Sequence, residues 1–194
     1  MANPERPTVA ALLPVVAPGQ VLLVQRRGLI SRLIRWVTSS PWSHVAMIAE
    51  SAGAVILLES TAKRGAAGVR IETTLEDKTV TGLLIRDRLD LATPDRDAIV
   101  QSAWLETGQD YDQGVNVDIL WRRLTSLRGW LRRSRAVNCA EMVANAWGRA
   151  WGPLLGPKED PTPDAIASSA MLYDRWRWPA PDGARKATPD DASA

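Results

Sequence analysis

The chain contains one cysteine and one histidine, and each lies in a strongly patterned stretch of sequence. His44 falls within the segment Trp42–Ile48, and Cys139 follows Asn138 at the start of a segment running to Trp147. A thiol becomes a working nucleophile when a base takes its proton, or when a nearby cation or helix N-terminus lowers its pKa. The pair therefore indicates thiol–imidazole chemistry. The alternatives are an inert buried thiol and a structural histidine.

The residues around Cys139 predict the start of a helix. Asn138 is typical of a helix N-cap, so the Cys139 sulfur should lie in the first turn of a helix that runs to about Trp151. Unsatisfied amide groups and the helix dipole favour an anion at that position. Glu141 stands where a capping-box acid would stand, and it would compete for the same positive end if it pointed inward.

The residues after His44 predict a β-hairpin that would bring a carboxylate to the imidazole. Two apolar runs, Val45–Ala49 and Val55–Glu59, are separated by a short turn-like segment. If the turn centres on Ala52-Gly53, residue 44 lies opposite residue 61, and the two-residue period puts Glu59 on the face of His44. A carboxylate there would fix the tautomer of the imidazole. The alternative is a surface acid at the end of a strand.

The first half of the chain is expected to be mostly sheet, and the second half mostly helix. Further strands are predicted at Val21–Val24, Val69–Glu72 and Val80–Ile85. Amphipathic helices are predicted at Leu29–Val37, from Thr93 to Gly108 with Ile99, Ala103 and Trp104 inward, and along Trp121–Leu131. Residues 153–163 are expected to be irregular, and residues 166–178 to form a last packed piece.

Length and composition indicate one soluble globular domain. The chain has 194 residues, of which 45% are hydrophobic, so we expect a single domain over residues 1–178 and a disordered tail over 179–194. A single cysteine excludes an internal disulfide and, with a single histidine, a Cys/His zinc cluster; neither a metal nor another cofactor is expected. We read Thr8–Pro18 as a leader into the first strand rather than a signal peptide.

Net charge argues against nucleic-acid binding, and hydropathy argues against a transmembrane helix. A net charge of +2 is too small to predict nucleic-acid binding, and no apolar run is long enough for a transmembrane helix. Arginines do cluster beside the stripe of Trp and Leu at 121–131, where they could contact an anionic surface or a protein partner. They are Arg122, Arg123, Arg128, Arg132, Arg133 and Arg135. The alternative is a core-packed helix with a solvated arginine face.

Taken in order, these segments resemble the circularly permuted NlpC-type cysteine hydrolases, in particular the YiiX/YebB-like branch. The resemblance covers about residues 18–151. It is carried by the glycine-led first strand, Ser-His-Val at 43–45, Glu59-Ser60, Tyr111-Asp112 and the Cys-x-Glu-Met-Val start of a helix at 139–143. It implies an α+β, permuted papain-like fold, in which an antiparallel sheet carries the histidine and the glutamate and the nucleophile helix follows.

The same resemblance implies roles for individual residues. Cys139 would be the nucleophile and its amide an oxyanion donor, His44 the general base and then acid, and Glu59 the residue that orients the imidazole. Further candidates for contact with the substrate or the oxyanion are Trp42, Ser43, Tyr111 and Asp112; packing and loop hydrogen bonds are the alternative for the Tyr-Asp pair.

The sequence departs from the family pattern at two positions. Gln20 follows the leading glycine where an acid is common, and Ala140 follows Cys139 where serine is usual. Neither position carries a predicted chemical role.

Three functions remain open at this level. The first is a cysteine peptidase or amidase that takes a peptide or acyl-amide substrate, such as the stem peptides of peptidoglycan. The second is a lipid-directed thiol acyltransferase or acyl hydrolase. The third is a non-catalytic structural or adaptor protein, for example of a phage tail, that retains the fold. The expected location is the cytoplasm, as synthesised, or a virion or tail-like particle.

Overall fold

A computed structural model describes residues 5–111, 136–157 and 159–179. The helices are α1 (Val9–Leu12), α2 (Leu29–Thr38), α3 (Ile71–Glu76), α4 (Thr93–Trp104), α5 (Cys139–Ala150) and α6 (Pro163–Ser168). The strands are β1 (Val21–Arg26), β2 (His44–Ser51), β3 (Ala54–Thr61), β4 (Gly65–Arg70), β5 (Val80–Asp87), β6 (Asp110–Tyr111), β7 (Ala136–Val137) and β8 (Tyr173–Trp178). The predicted amphipathic stretch at 121–131, its arginines and residues 180–194 of the predicted tail lie outside the described residues.

The architecture is a mixed α/β fold built on a six-stranded antiparallel sheet. The strand order is β4-β3-β2-β1-β5-β8, so the hairpin that carries His44 lies beside the first strand. A separate parallel pair joins β6 to β7, immediately before α5. Within the described ranges, no helix is both long and apolar enough to span a bilayer.

The sheet is covered on both faces, which explains why its central strands read as continuous apolar runs rather than alternating ones. On β1, Val21 and Leu23 contribute to one core, and Leu22 and Val24 contribute to the other. The first core is completed by α4 and α5, including Ile99, Ala103, Val143 and Trp147. The second is completed by α1 and α3, including Leu12, Ile71 and Leu75.

The predicted hairpin between β2 and β3 is confirmed. Ser51 pairs with Ala54, so the turn consists of Ala52 and Gly53, with φ values of 51° and 73°. Two consecutive positive φ angles are typical of the type I′ turn, whose twist matches that of the strands it joins. The same register would place residue 44 opposite residue 61, as expected, but the pairing ends at Met47–Leu58, before the strands reach that position.

Two predictions about local structure were wrong. The strand expected at Val69–Glu72 ends at Arg70, because Ile71 and Leu75 lie one helical turn apart and both bury their side chains in the second core from α3. Trp104 is 38% exposed rather than inward. Its ring lies at the end of α4 against Gly68 of β4. A Cβ added at Gly68 would lie 2.8 Å from a ring atom of Trp104.

The helix predicted at Leu29–Val37 forms, but it does not bury its apolar side. Within α2, which the structure describes in full, Val37 alone is buried. Leu29, Ile30, Leu33 and Trp36 all belong to the exposed surface. The amphipathic pattern therefore predicted the helix and not what its apolar residues contact.

Gln20, one of the two departures from the pattern that the sequence resembles, makes hydrogen bonds with both ends of its side-chain amide. Its side-chain oxygen accepts a hydrogen bond from the Ala17 amide at 2.8 Å, and its side-chain nitrogen donates to the Val15 carbonyl and to Asp87 at 3.2 and 2.8 Å. Asp87 also binds Arg96 at 3.0 Å. An acid at position 20 would set two buried carboxylates against each other, so the amide suits a chain that already has Asp87 there.

Candidate active site

Cys139 is held at the first position of α5 by a complete capping box. The side-chain oxygen of Asn138 accepts hydrogen bonds from the amides of Ala140 and Glu141, both at 2.8 Å. The Glu141 carboxylate in turn accepts from the Asn138 amide at 3.1 Å. The Glu141 carboxylate therefore binds the Asn138 amide, rather than competing with the Cys139 thiol for the positive end of the helix.

The amide of Cys139 itself remains free to donate. The next three amides of α5 are taken by the side chain and carbonyl of Asn138. Among the described residues, nothing accepts a hydrogen bond from the Cys139 amide. An amide that has no acceptor in the described part of the chain, at the positive end of a helix, is the kind of group that stabilises an oxyanion.

The sheet forks where it meets Cys139. Between β2 and β3 the ladder runs from Ser51–Ala54 to Met47–Leu58, although β2 begins at His44 and β3 continues to Thr61. The Ile48 amide bonds to Gln20 beside β1, so by alternation the Val45 amide points to the β3 side, where its ladder partner is missing. That amide donates to the Cys139 sulfur instead.

His44 stands between the thiol and a carboxylate. Its Nε2 lies 2.6 Å from Oε2 of Glu59, and both side chains are buried. The ring also hydrogen-bonds Cys139. Because Nε2 is committed to Glu59, Nδ1 is the nitrogen left for the sulfur. The structure thus brings together the three residues that the sequence singled out for chemistry.

The electrostatics of the three groups favour an ion pair. Burial lowers the pKa of His44, but the charge and hydrogen bond of Cys139, together with those of Glu59, outweigh burial and raise that pKa from 6.5 to about 9. Burial raises the pKa of the Cys139 thiol, but the charge of His44, its hydrogen bond and the Val45 amide lower it overall. Thiolate and imidazolium therefore stabilise each other.

Glu59 is kept ionised by its neighbours. Burial raises the pKa of its carboxyl group, but the hydrogen bond and charge of His44, and the more distant charges of Arg26 and Arg64, lower the pKa overall. A carboxylate that stays charged can hold the imidazolium without taking its proton.

The side chains of Cys139, His44 and Glu59 are almost covered. The exposed fractions are 7% for Cys139, 9% for His44 and 6% for Glu59.

Ser60 also belongs to the site, although the sequence alone indicated no role for it. Its hydroxyl donates to the Val137 carbonyl at 2.7 Å, and Val137 lies two residues before Cys139. Adjacent residues of a strand face opposite sides, so Glu59 holds His44 while Ser60 holds the segment leading into α5. The Glu-Ser pair therefore connects the histidine to the start of the cysteine helix.

The remaining candidates take different positions. Trp42 is buried in the first core, with the guanidinium of Arg177 at 5.9 Å from its ring. The Ser43 hydroxyl donates to the Val24 carbonyl at 3.3 Å and accepts from the Arg26 amide at 3.1 Å, so both interactions fasten the entry of β2 to β1. Their predicted contact with substrate gains no support from these positions.

The Tyr-Asp pair is described only in part. The backbone of Tyr111 pairs with Val137, which places the end of β6 beside the approach to Cys139. Asp112 lies outside the described residues.

These elements define a class of structure, a mixed α/β fold with a six-stranded antiparallel sheet. The helix that begins at Cys139 packs where β2 and β3 separate. The chain is similar to the crystal structure of the metalloprotein YiiX from Escherichia coli O157:H7, with 16% sequence identity and a TM-score of 0.61 over 82% of this chain and 96% of that one. The fold is therefore YiiX-like. No protein-family model and no curated protein matches the sequence.

The YiiX structure is described as a metalloprotein, so we asked whether this site suits a metal. Among the described residues, no group of three or more His, Cys, Asp and Glu side chains is placed to hold one. At this site, Nε2 of His44 binds Glu59 at 2.6 Å and the ring also hydrogen-bonds Cys139, so these side chains are engaged with one another. Protein zinc sites use three or four ligands, so this donor set does not fit a metal centre.

Proposed function

We propose that this protein is a cysteine hydrolase of the permuted NlpC type, acting on amide bonds through a thioester intermediate. The observation that carries the proposal is the chain of contacts from Glu59 through His44 to Cys139, at the N-terminus of α5. A carboxylate, an imidazole and a thiol in this order form a nucleophile, its base and the group that orients the base.

The reaction follows from the geometry. The Cys139 thiolate attacks the carbonyl carbon of the substrate, a C–S bond forms, and the resulting oxyanion accepts a hydrogen bond from the Cys139 amide. The His44 imidazolium gives its proton to the leaving amine as the C–N bond breaks. His44 then takes a proton from water, which re-forms the imidazolium as the hydroxide attacks the thioester. Cleavage of the C–S bond releases the carboxylic acid and returns the Cys139 thiolate. Glu59 remains ionised throughout.

A first experiment uses p-nitrophenyl acetate, a small ester that can enter a nearly covered site. We expect a burst of nitrophenol and an acetyl group on Cys139, detected by mass spectrometry of the intact protein and its peptides. Cys139→Ser should lose the burst. Ser102→Ala is the matched control, since Ser102 is 7% exposed like Cys139 and its hydroxyl has no hydrogen-bond partner among the residues that the structure describes. Equal bursts from the wild type and Cys139→Ser would refute the proposal.

Substrate class is then tested with peptidoglycan. Wild type and Cys139→Ser are incubated with purified sacculi, and the released fragments are compared by mass spectrometry. Cleavage of stem-peptide amides by the wild type alone supports a peptidoglycan amidase or peptidase. Acetylation without release of fragments directs the search to other acyl substrates.

A second candidate function is acyl transfer or hydrolysis on lipids. The observation that favours it is α2, whose exposed apolar residues are followed by the short loop that leads to His44 at the start of β2. The same chemistry would then act on an ester or amide of a lipid. Release of fatty acid from phospholipid vesicles by the wild type, and not by Cys139→Ser, would distinguish this function from peptide cleavage.

A further inference from the structure

The most unusual surface of the described chain is on α2. Leu29, Ile30, Leu33 and Trp36 are 76%, 72%, 44% and 61% exposed. At 100° per residue, positions 29, 33 and 36 fall on one line along the helix, with position 30 beside them. We call these four residues the α2 apolar face. Single exposed apolar residues are ordinary, but four large ones on one face of a helix indicate a binding surface.

Charge decides what this face suits. Exposed arginines, Arg27 before the helix and Arg32 within it, border the apolar face, and Arg35 lies one turn further on. Leu29–Thr38 contains no acidic residue. A helix with Leu, Ile and Trp on one face and arginines beside it lies in the boundary of an anionic bilayer, with the apolar side chains among the acyl chains and the guanidinium groups at the phosphates.

The length of α2 sets its orientation. Ten residues extend about 15 Å, which is half the thickness of a hydrocarbon core. The helix is too short to span a bilayer and suits a position parallel to its surface. Trp36 suits the interface because its ring is apolar and its N–H can remain in the polar layer.

We propose that the α2 apolar face is a membrane-binding surface that docks this protein on anionic lipid. Ser39, with a φ of 54°, turns the chain out of α2, and Pro41–Ser43 then lead it to His44. Docking through α2 therefore brings the entry of β2, and with it the thiol site, close to the lipid boundary. The proposal needs only this exposed face, and it stands whether or not Cys139 is a nucleophile.

The test measures binding to vesicles by flotation, with the Cys139→Ser protein so that catalysis does not contribute. Vesicles of phosphatidylserine and phosphatidylcholine are compared with vesicles of phosphatidylcholine alone. We expect binding to the anionic vesicles that weakens as salt is raised, because salt screens the arginines.

Matched variants locate the surface. Leu33→Ser with Trp36→Ser should weaken binding at least tenfold, because burial of two large apolar side chains is lost. Leu89→Ser with Leu105→Ser should bind like the parent, since these leucines are 84% and 76% exposed but lie outside α2. Circular dichroism confirms that both double variants remain folded.

A charge pair completes the design. Arg32→Gln should weaken binding to anionic vesicles about fivefold. Arg175→Gln removes another exposed arginine, from β8, and should have no effect. Absence of binding by the parent protein, or binding that survives the α2 substitutions, overturns the proposal. So does a concentration-dependent dimer that the α2 substitutions abolish while vesicles do not bind, because the face would then hold a second copy of the chain.

Discussion

Removal of His44 is expected to raise the pKa of the Cys139 thiol, and the size of the effect follows from the coupling between the two groups. The rise in the His44 pKa from 6.5 to about 9 corresponds to about 3 kcal/mol, at roughly 1.4 kcal/mol per pKa unit. That figure is the net of burial, which lowers the His44 pKa, and of Cys139 and Glu59, which raise it. Because coupling is reciprocal, the imidazolium in turn stabilises the thiolate and lowers the Cys139 pKa. In His44→Ala that stabilisation is lost, while burial still disfavours the thiolate.

The assay is alkylation of Cys139 by iodoacetamide as a function of pH. Loss of this stabilisation reduces the thiolate population at pH values where the thiol is mostly protonated. A more basic thiolate is a better nucleophile, which returns part of the rate. We therefore expect the rate at about pH 5.5 to fall on the order of tenfold in His44→Ala, and the midpoint of the profile to move to higher pH.

The neighbouring variant Glu59→Gln separates charge from position. An amide can still hydrogen-bond Nε2 but no longer supports the imidazolium charge, so the midpoint should move in the same direction by less. Thermal unfolding of each variant shows whether the fold is retained. If wild type and His44→Ala titrate at the same pH, Cys139 and His44 are not an ion pair, and the reasoning about the site is refuted.

Three further outcomes follow from the structure. Asn138→Ala removes the cap of two amides and should lower the free energy of unfolding by about 1 kcal/mol, measured in urea. Gly65→Ala should be more destabilising than Gly53→Ala, because both have positive φ but a Cβ at 65 meets the Gln109 carbonyl and one at 53 meets nothing; equal losses would contradict this. Because the folded-state pKa of Glu59 is lowered, the stability it contributes is present above its unfolded pKa of about 4.3 and is lost as the pH falls through the folded value. The stability gap between wild type and Glu59→Gln should therefore narrow in acid, and a gap that widens would show the sign to be wrong.

The sequence alone determined the elements that hold the chemistry. The type I′ turn at Ala52-Gly53 and the period of β2 and β3 put His44 and Glu59 on one face, because a strand alternates its side chains and the turn fixes the register. Asn138 and Glu141 are enough to predict where α5 begins and hence where Cys139 lies. These features are local, and local chemistry specifies them.

Tertiary structure decided what the local patterns could not. The strand predicted through Glu72 ends at Arg70, and α3 begins at Ile71, where Ile71 and Leu75 lie one helical turn apart and both bury their side chains in the second core. The apolar side of α2 pointed outward, since periodicity says which residues share a face and not what that face meets.

The fork between β2 and β3 is the part of the site that sequence did not indicate. Because β2 and β3 separate there, the Val45 amide donates to the Cys139 sulfur. Where the strands separate depends on how far their pairing continues before the N-terminus of α5 packs against them. Local propensity determined which groups could react and how each one enters its strand or helix. Long-range packing decided that the Cys139 thiol meets the His44 imidazole, because only the folded sheet brings the start of α5 to the start of β2.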